Sequence, residues 1–376
     1  MSALSPEQAA IRDMALAFAA ERLAPNAVAW DKDRHFPLDV LREAAALGMA
    51  GIVVREANGG SGLTRLDSAM IFEALATGCP TVAAYLSIHN MVAWAIDRFG
   101  TPDQQARFLP KMLTLEHASS YCLTEPGAGS DAAALTTRAT RQGGDYVLDG
   151  VKQFISGAGA AEVYLVMART GGPGAAGVSA FLARKDAPGL SFGANERKMG
   201  WNAQPTRQVI FEGVRVSEAD RLGSEGDGFK IAMAGLDGGR LNIGACSLGG
   251  AEAAMGMALA HMRGRKAFGR AVIEFQGLQF RLADSATALE AARSLLWRAA
   301  SALDAGDPGA SRLCAMAKLA ATDAGFAAAN DALQMLGGYG YLADTGVEKI
   351  VRDLRVHQIL EGTNEIMRVI VARGMV

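Results

Sequence analysis

The feature that most constrains the fold is a block of strand-forming sequence between two long stretches with helical periodicity. From Ser119 to about Val216, β-branched and aromatic runs such as VYLVMART and QVIFEGVRV alternate with glycine turns, a pattern typical of β-strands. In the preceding stretch, Ser5 and Thr101 begin capping boxes and apolar residues fall at helical spacing. From Gly228 onward, alanine, leucine and methionine dominate and the helical period returns. These patterns predict a β domain inserted in a helical protein.

The three stretches define the predicted domains. A chain of 376 residues is longer than one ordinary core, so two or three subdomains are expected. We predict an α+β, mostly helical protein with an N-terminal helical domain over residues 1–118, a middle β domain over residues 119–225 and a C-terminal helical bundle over residues 226–376. The C-terminal helices are rich in small residues, which favours packing against other subunits.

Composition argues against several classes of function. The formal net charge is −2 and the chain has no block of lysine and arginine, so a role in binding nucleic acid or a membrane surface is not expected. The four cysteines include no CxxC pair and the five histidines include no HxxxH pair. Neither a disulfide framework nor a metal site is therefore expected.

The first residues do not have the pattern of a targeting segment. Glu7, Asp13 and Glu21 are acidic, and no apolar segment follows a basic start. No apolar run is expected to be long enough to cross a bilayer. For a bacterial protein, these observations predict a cytoplasmic location.

Two glycine motifs match the dinucleotide-binding fingerprint GxGxxA, at residues 127–132 and 338–343. The first is followed by more strand and the second is preceded by a helical run, so neither has the strand–turn–helix context of a Rossmann domain. The glycine-rich loop at residues 58–62 lacks the lysine of a Walker loop, and a surface turn is favoured over a phosphate cradle.

A carboxylate with apolar neighbours is the leading candidate for chemistry. Glu361 follows Ile359 and Leu360 and precedes Gly362, in a helix-like run that begins after a glycine turn. Burial raises the pKa of a carboxyl group toward the range useful for proton abstraction. Glu361 is therefore predicted to be a general base, with a solvated carboxylate at a helix end as the alternative.

Three long segments resemble the acyl-CoA dehydrogenase family: YCLTEPGAGSD from Tyr121, QMLGGYGYLAD from Gln334 and ILEGTNEIMR from Ile359. The resemblance covers essentially the whole chain. It implies a middle β-barrel or sandwich, a C-terminal four-helix bundle, one non-covalent FAD per subunit and a homotetramer. It also implies an acyl-CoA substrate and electron-transfer flavoprotein as the electron acceptor.

The resemblance assigns three groups of residues to FAD. The group implied to border the flavin ring is Tyr121, Leu123, Thr124, Gly129, Ser130, Phe154, Ile155 and Ser156. The group implied to reach the FAD of a neighbouring subunit is Arg265, Phe268, Phe275, Gln276, Gln334, Met335, Leu336, Gly337 and Gly338, where the arginine would form a charge-assisted pair with the pyrophosphate. Thr363, Asn364 and Glu365 are implied to border the cofactor as well.

The resemblance also assigns a substrate channel. Its implied residues are Ser130, Asp237, Gly238, Gly239, Arg240, Gly362 and Arg373, with Arg373 near the CoA end. One branch of the family carries its base on the channel helix, at the position that Gly239 holds here. Because glycine cannot act as a base and Glu361 is present, the chain is not expected to belong to that branch. The backbone N–H of Glu361 is implied to help bind the thioester carbonyl.

Further segments, including KMGWNAQPTRQVIFEGVRV from Lys198, resemble the branch of the family that acts in valine breakdown. This implies dehydrogenation of isobutyryl-CoA to methacrylyl-CoA, in which Glu361 removes the α-proton and the β-hydrogen leaves as hydride to the flavin. Open alternatives are a dehydrogenase of short straight or 2-methyl-branched acyl-CoA, an acyl-CoA oxidase or flavin monooxygenase on the same scaffold, and a non-catalytic assembly factor.

Several reactive residue types are expected to serve packing. Trp201 and Cys122 are predicted to be buried apolar residues, and His89 a histidine with satisfied hydrogen bonds, with a place at the acyl end of the pocket as its alternative. Tyr339 and Tyr341 are predicted to be wall residues and not proton donors.

Overall fold

The computed structural model describes residues 4–375. Residues 1–3 and 376, at the outer ends of the predicted N- and C-terminal domains, lie outside this range. Along the described chain, a group of helices is followed by a block of strands and then by a second group of helices. The predicted fold class, α+β and mostly helical, is confirmed.

The first group consists of α1 (Pro6–Phe18), α2 (Ala27–Asp33), α3 (Leu38–Ala46), α4 (Arg65–Gly78), α5 (Pro80–Phe99) and α6 (Pro102–Leu113). The capping boxes predicted at Ser5 and Thr101 are present, and Thr64 begins another at the start of α4. Each box satisfies N–H groups of the first helical turn that have no partner within the helix. α4 and α5 are largely buried, and they form the layer that faces the later helices.

The strands are β1 (Ser119–Cys122), β2 (Arg138–Gln142), β3 (Asp145–Ser156), β4 (Val163–Arg169), β5 (Val178–Arg184), β6 (Leu190–Phe192), β7 (Thr206–Ser217) and β8 (Arg221–Leu222). They form one mixed sheet in the order β6-β7-β3-β2-β4-β5-β8, and β1 pairs in parallel with β4. β4 and β5 are buried along almost their whole length, which explains their continuous apolar sequence. β3 shifts its register against β7 between Lys152 and Ile155.

The later helices are α7 (Gly228–Gly264), α8 (Gln276–Asp304), α9 (Ala310–Met335), α10 (Val347–Arg355) and α11 (Asn364–Arg373). A short ribbon of β9 (Lys266–Ala267) and β10 (Arg270–Ala271) lies between α7 and α8. α7 is the central element, because it packs against α9, α8, α4 and α5. Its approach to α4 requires glycine at position 249, where a Cβ would overlap the carbonyl oxygen of Glu73.

α7 corrects one expectation from the sequence. With 37 residues and an 18-residue window of mean hydropathy 1.3, it is long and apolar enough to cross a membrane by length and composition. However, 61% of that window is buried inside the protein, as in a core helix. Glycine at position 249 allows the close packing that buries the helix.

Candidate active site

Glu361 lies in a tight turn and not on a helix. α10 ends at Arg355, a 3-10 turn covers Val356–Gln358, and α11 begins only at Asn364. Glu361 has φ +55° and Gly362 has φ +90°, so two consecutive residues adopt the left-handed conformation. An L-residue such as glutamate rarely adopts this conformation outside strained or functional turns. The helix-like run expected from the sequence is therefore interrupted at the candidate base.

The carboxylate of Glu361 is buried and lacks a protein partner. Its Oε2 atom is inaccessible to solvent and has no hydrogen-bond partner in the described part of the chain, although the residue as a whole is partly exposed. Burial raises the pKa of Glu361 to about 7, against the opposing effect of the cations Lys318 and Arg240. This pKa suits a group that removes a proton near neutral pH.

Gly239 of α7 faces this carboxylate. A Cβ built on Gly239 would lie 2.6 Å from Oε2 of Glu361. The Cα of Gly239 is thus adjacent to the carboxylate of Glu361. A side chain at position 239 would compete with Glu361 for space.

Two buried cations hold the turn that carries Glu361. Arg240 donates from Nε to the carbonyl oxygen of Glu361 at 3.3 Å, and its Nη1 pairs with Asp237 at 2.7 Å. Lys318 of α9 donates to the carbonyl oxygen of Gly362 at 2.9 Å. No described residue accepts a hydrogen bond from the backbone N–H of Glu361. This N–H and the carboxylate are thus both available to a bound molecule.

Of the residues around the turn, the sequence predicted Asp237 and Arg240 but missed Lys318 and Ser311. Ser311 donates to Oδ2 of Asp237 at 2.5 Å, and this bond orients the carboxylate that pairs with Arg240. Lys318 is fully buried within an apolar helical segment, AMAKLAAT. The presence of a single lysine on the buried face of an alanine-rich helix could have indicated the role of Lys318, because a buried ammonium group requires partners.

The loop that follows β1 forms a second part of the site. Tyr121 donates its hydroxyl hydrogen to the carbonyl oxygen of Ala232 on α7 at 3.2 Å, and its pKa is raised by burial and by the nearby charge of Glu361. Gly127 and Gly129 are exposed, and a Cβ on either would meet no atom within 4 Å. The exposed Ser130 follows them. This stretch of backbone is therefore open to close approach by a ligand.

A buried ion pair that the sequence did not reveal anchors this loop. Lys152 of β3 donates to Glu125 at 2.7 Å and to the carbonyl oxygen of Leu123 at 3.1 Å. Glu125 also accepts the backbone N–H groups of Thr136 and Thr137. The pair and these bonds lower the pKa of Glu125 to about 2, although burial opposes the shift. The loop between β1 and β2 is thus tied to β3 by the Lys152–Glu125 ion pair.

Phe154 lies beside this loop on β3 and is strongly exposed. The register shift between β3 and β7 falls at this residue, which has φ +58° and a side chain that is 63% exposed. The backbone N–H of Gln153 pairs with the carbonyl oxygen of Thr124, which fixes the strand to the loop. Ile155 is buried, and the Ser156 hydroxyl accepts a hydrogen bond from Gln204 at 3.2 Å. A phenyl ring held outward on a strained strand offers a flat wall to an aromatic ligand.

The residues predicted to reach a neighbouring subunit's FAD lie elsewhere, at the far end of α7. Arg265, Met335, Leu336, Gly337 and Gly338 line one open cavity of about 620 Å³. His261, Val272, Tyr339 and Leu342 complete its lining. A 3-10 turn covers Gly337–Tyr341, and Tyr341 at its end is 84% exposed.

The remaining residues of this group, Phe268, Phe275, Gln276 and Gln334, are not among those that line the cavity. Phe268 is 95% exposed with φ +52°, and its ring meets the edge of Phe275 at a centroid distance of 6.1 Å. Gln276 and Gln334 are exposed. Exposed glycines, an arginine and exposed aromatic rings fit the phosphate and ring groups of FAD.

The last predicted group begins α11. Thr363 caps the helix by accepting the N–H of Ile366, and Glu365 is exposed. Asn364 is buried, and its side chain is engaged by Lys318, Thr322 and Asp323. This side chain therefore holds the turn together and does not face an open surface. Arg373 ends α11 at the surface.

Two of the residues expected to serve packing, His89 and Trp201, are buried and hydrogen-bonded. His89 contacts the carbonyl oxygen of Met112 through Nε2 and the Ser119 hydroxyl through Nδ1, each at 3.0 Å, and burial lowers its pKa to about 4. Trp201 is 5% exposed and donates from Nε1 to His357 at 3.2 Å. The packing roles predicted for His89 and Trp201 are confirmed.

This helical protein with an inserted β sheet is a flavin-dependent oxidoreductase. The chain belongs to the acyl-CoA dehydrogenase family. It matches the family's N-terminal domain over residues 5–116, its middle domain over residues 120–214 and its C-terminal domain over residues 226–376. Its cofactor is FAD, which the residues described above fit.

Known relatives match along the entire chain. The chain is 53% identical to the mitochondrial isobutyryl-CoA dehydrogenase of Bos taurus over 372 residues, which cover 99% of this chain and 89% of the relative. The structure of butyryl-CoA dehydrogenase from Megasphaera elsdenii is similar with a TM-score of 0.96 and 35% identity, covering 100% of this chain and 99% of that one. A chain from a structure described as electron transferring flavoprotein of Acidaminococcus fermentans has a TM-score of 0.97 and 39% identity, with coverage of 100% and 99%.

Proposed function

We propose that this acyl-CoA dehydrogenase acts on short branched thioesters, with isobutyryl-CoA as the preferred substrate and Glu361 as the base. The observation that carries the role of Glu361 is its Oε2 atom, which is buried beside Gly239 and has no hydrogen-bond partner among residues 4–375, while burial raises the pKa of the carboxyl group to about 7. The 53% identity to an isobutyryl-CoA dehydrogenase supports the choice of substrate.

The proposed reaction removes two hydrogens from adjacent carbons of the acyl group. Glu361 takes the α-hydrogen as a proton, and the electron pair left on the α-carbon forms the new double bond. FAD, when bound, supplies the electron sink that accepts the β-hydrogen as hydride. The backbone N–H of Glu361 donates to the thioester carbonyl oxygen, which stabilises the negative charge that develops there. Burial of the site strengthens this interaction.

Three arrangements within this chain support the proposed roles of Glu361 and the residues around it. The backbone N–H and the carboxylate both belong to Glu361. One turn therefore positions the base and the N–H that donates to the thioester carbonyl oxygen. Arg240 and Lys318 bind the carbonyl oxygens of Glu361 and Gly362 and leave the N–H of Glu361 available. Phe154 and the loop around Gly129 provide the surface that would hold the flavin ring.

We further propose a homotetramer in which the cavity beside Arg265 receives the FAD of a neighbouring subunit, with electron-transfer flavoprotein as the acceptor. At about 1.5 Å per residue, Arg265 lies on the order of 40 Å along the axis of α7 from Gly239. This separation supports a second subunit as the source of the cofactor in the cavity.

A panel of thioesters tests the substrate. Purified holoenzyme is assayed with isobutyryl-, 2-methylbutyryl-, butyryl- and isovaleryl-CoA, with electron-transfer flavoprotein as the acceptor. Isobutyryl-CoA should have the highest kcat/KM, by roughly tenfold, because one methylene changes binding by about 1–3 kcal/mol. A higher value for butyryl- or 2-methylbutyryl-CoA would assign the enzyme to that substrate. Turnover with oxygen as the sole acceptor at a similar rate would indicate an oxidase.

A further inference from the structure

Lys318 connects both sides of the turn that carries the base. The lysine is fully buried, and its Nζ donates to the carbonyl oxygen of Gly362 at 2.9 Å and to Oδ1 of Asn364 at 2.8 Å. Gly362 follows Glu361 directly, whereas Asn364 is the first residue of α11. One side chain from α9 therefore fixes the left-handed turn and the helix that follows it.

The partners of Lys318 are themselves held in place. Asn364 donates from Nδ2 to Thr322 at 3.0 Å and to Asp323 at 2.6 Å. Both of these residues also lie on α9. The turn is thus attached to one helix at several points. Such a set of contacts is what keeps a glutamate in a conformation that it would otherwise rarely adopt.

The charge of Lys318 differs from that of Arg240, the other cation near the base. Arg240 is paired with Asp237 at 2.7 Å, so a carboxylate offsets much of its charge. The two acceptors of Lys318 are neutral oxygens, and none of the ion pairs found within residues 4–375 includes it. Burial lowers the pKa of Lys318 to about 8, while the charge of Glu361 opposes that shift.

The groups that influence Glu361 come from several elements. Lys318 of α9 and Arg240 of α7 both favour its ionised form, and Lys318 has the larger effect. Tyr121 of β1 and Cys246 of α7 are neutral near pH 7, because the charge of Glu361 and burial raise the pKa of each. Asp323, on the same helix as Lys318, stabilises the charge of the lysine.

We propose that Lys318 is a positioning residue for the base. Lys318 holds the Glu361–Gly362 turn, and its unpaired charge keeps the Glu361 carboxylate ionised for proton abstraction. This inference rests on the proposed role of Glu361. Lys318 then determines both the geometry of the turn and the position of the acidic limb in the pH profile of kcat/KM.

The pH dependence of kcat/KM with isobutyryl-CoA tests the inference in the holoenzyme. Lys318→Met removes the charge and both hydrogen bonds, so the Glu361 carboxylate becomes harder to ionise. The acidic limb of the profile should then move to higher pH by about one unit, and the rate at pH 7 should fall by roughly tenfold or more. Lys318→Arg keeps the charge and should leave the limb near its wild-type position.

Thr322→Val is the matched control. It removes a hydrogen bond to Asn364 from the same network without changing any charge, so its acidic limb should not move. Lys318→Gln serves as a second neutral variant if Lys318→Met does not bind FAD. If the acidic limb of the kcat/KM profile stays at the wild-type pH in both Lys318→Met and Lys318→Gln, the proposed role of Lys318 is overturned. If Glu361→Gln retains activity, the proposed role of Glu361 fails instead, so the two failures are distinguishable.

Discussion

Glu361 combines two features that destabilise the folded state. A left-handed backbone at a non-glycine residue costs about 1–2 kcal/mol. The buried carboxyl group resists ionisation, because its Oε2 has no hydrogen-bond donor among residues 4–375. Such costs are expected at active sites, where the geometry needed for chemistry is held by the surrounding structure. In this protein, that support comes from Arg240 and Lys318.

The raised pKa of Glu361 predicts a pH-dependent effect on stability. Because the pKa is about 7 in the folded protein and near 4.5 in the unfolded chain, the contribution of this group is fully present below pH 4.5 and is lost as the pH rises through 7. Glu361→Gln removes the ionisable group. We expect the free energy of unfolding of the variant to exceed that of wild type by up to about 3 kcal/mol at pH 8, and by much less at pH 5. Urea unfolding at the two pH values measures the difference, and an equal effect at both would contradict the raised pKa.

The sequence indicated the candidate base but not the residues that hold it in place. Ile359, Leu360 and Gly362 around Glu361 indicated burial without any structure. Lys318 binds a turn that lies more than forty positions further along the chain, as its bonds to Gly362 and Asn364 show. Lys152 and Glu125 likewise pair only after β3 returns beside the loop. Contacts of this kind depend on tertiary structure, and single-sequence patterns do not contain them.

At the scale of elements, α7 determines how much room the base has. A Cβ on Gly239 would lie 2.6 Å from Oε2 of Glu361, which is a flexible atom that can move aside. Gly239→Ala should therefore fold normally but displace the carboxylate. Because a shift of about 1 Å can cost a factor of 10², we expect kcat to fall by roughly 10- to 100-fold.

Gly256→Ala is the control on the same helix. A Cβ at this exposed position would meet nothing within 4 Å. The substitution should leave kcat/KM unchanged and should raise the free energy of unfolding by up to about 1 kcal/mol, because alanine favours a helix more than glycine does. Stopped-flow reduction of the bound flavin and thermal unfolding measure both effects. Wild-type rates in Gly239→Ala would show that the carboxylate does not need this space.

The elements themselves were largely predictable, because their signals are local. The capping residues Ser5 and Thr101 begin helices as expected, and the alternating runs between Ser119 and Val216 form strands. The interruption of the helix at Glu361 was not predictable, because Ile359 and Leu360 continue an apolar helical pattern. Tertiary bonds from α7 and α9 to the backbone carbonyls override that local preference.

At the scale of the whole molecule, the described surface has two regions that we propose to bind FAD. One contains Glu361, the glycine loop and Phe154, and the other is the cavity beside Arg265. Phe268 is 95% exposed near this cavity, which is unusual for a phenylalanine in an isolated globular protein. Five of the residues that the sequence resemblance grouped together, Arg265 and Met335 to Gly338, line one cavity, and their role toward FAD stays a prediction.

Arg265→Ala tests the proposed role of the cavity. If its guanidinium binds the pyrophosphate of FAD, the variant should lose on the order of 10- to 100-fold in FAD affinity, since hydrogen bonds to charged groups contribute about 1.5–3 kcal/mol. Arg263→Ala, at the exposed end of α7 and outside the cavity lining, should retain wild-type affinity. Flavin fluorescence measures binding, and light scattering measures the mass of each variant. Equal affinity in the two variants would contradict the proposed site.

The central claim is that the carboxylate of Glu361 removes the α-proton of a bound thioester. Anaerobic titration of wild type and Glu361→Gln with isobutyryl-CoA, followed by flavin absorbance, tests it most directly. The wild-type flavin should bleach rapidly. The variant should retain its yellow FAD and bleach more slowly by a factor on the order of 10² to 10⁴. Bleaching of Glu361→Gln at the wild-type rate would contradict the claim.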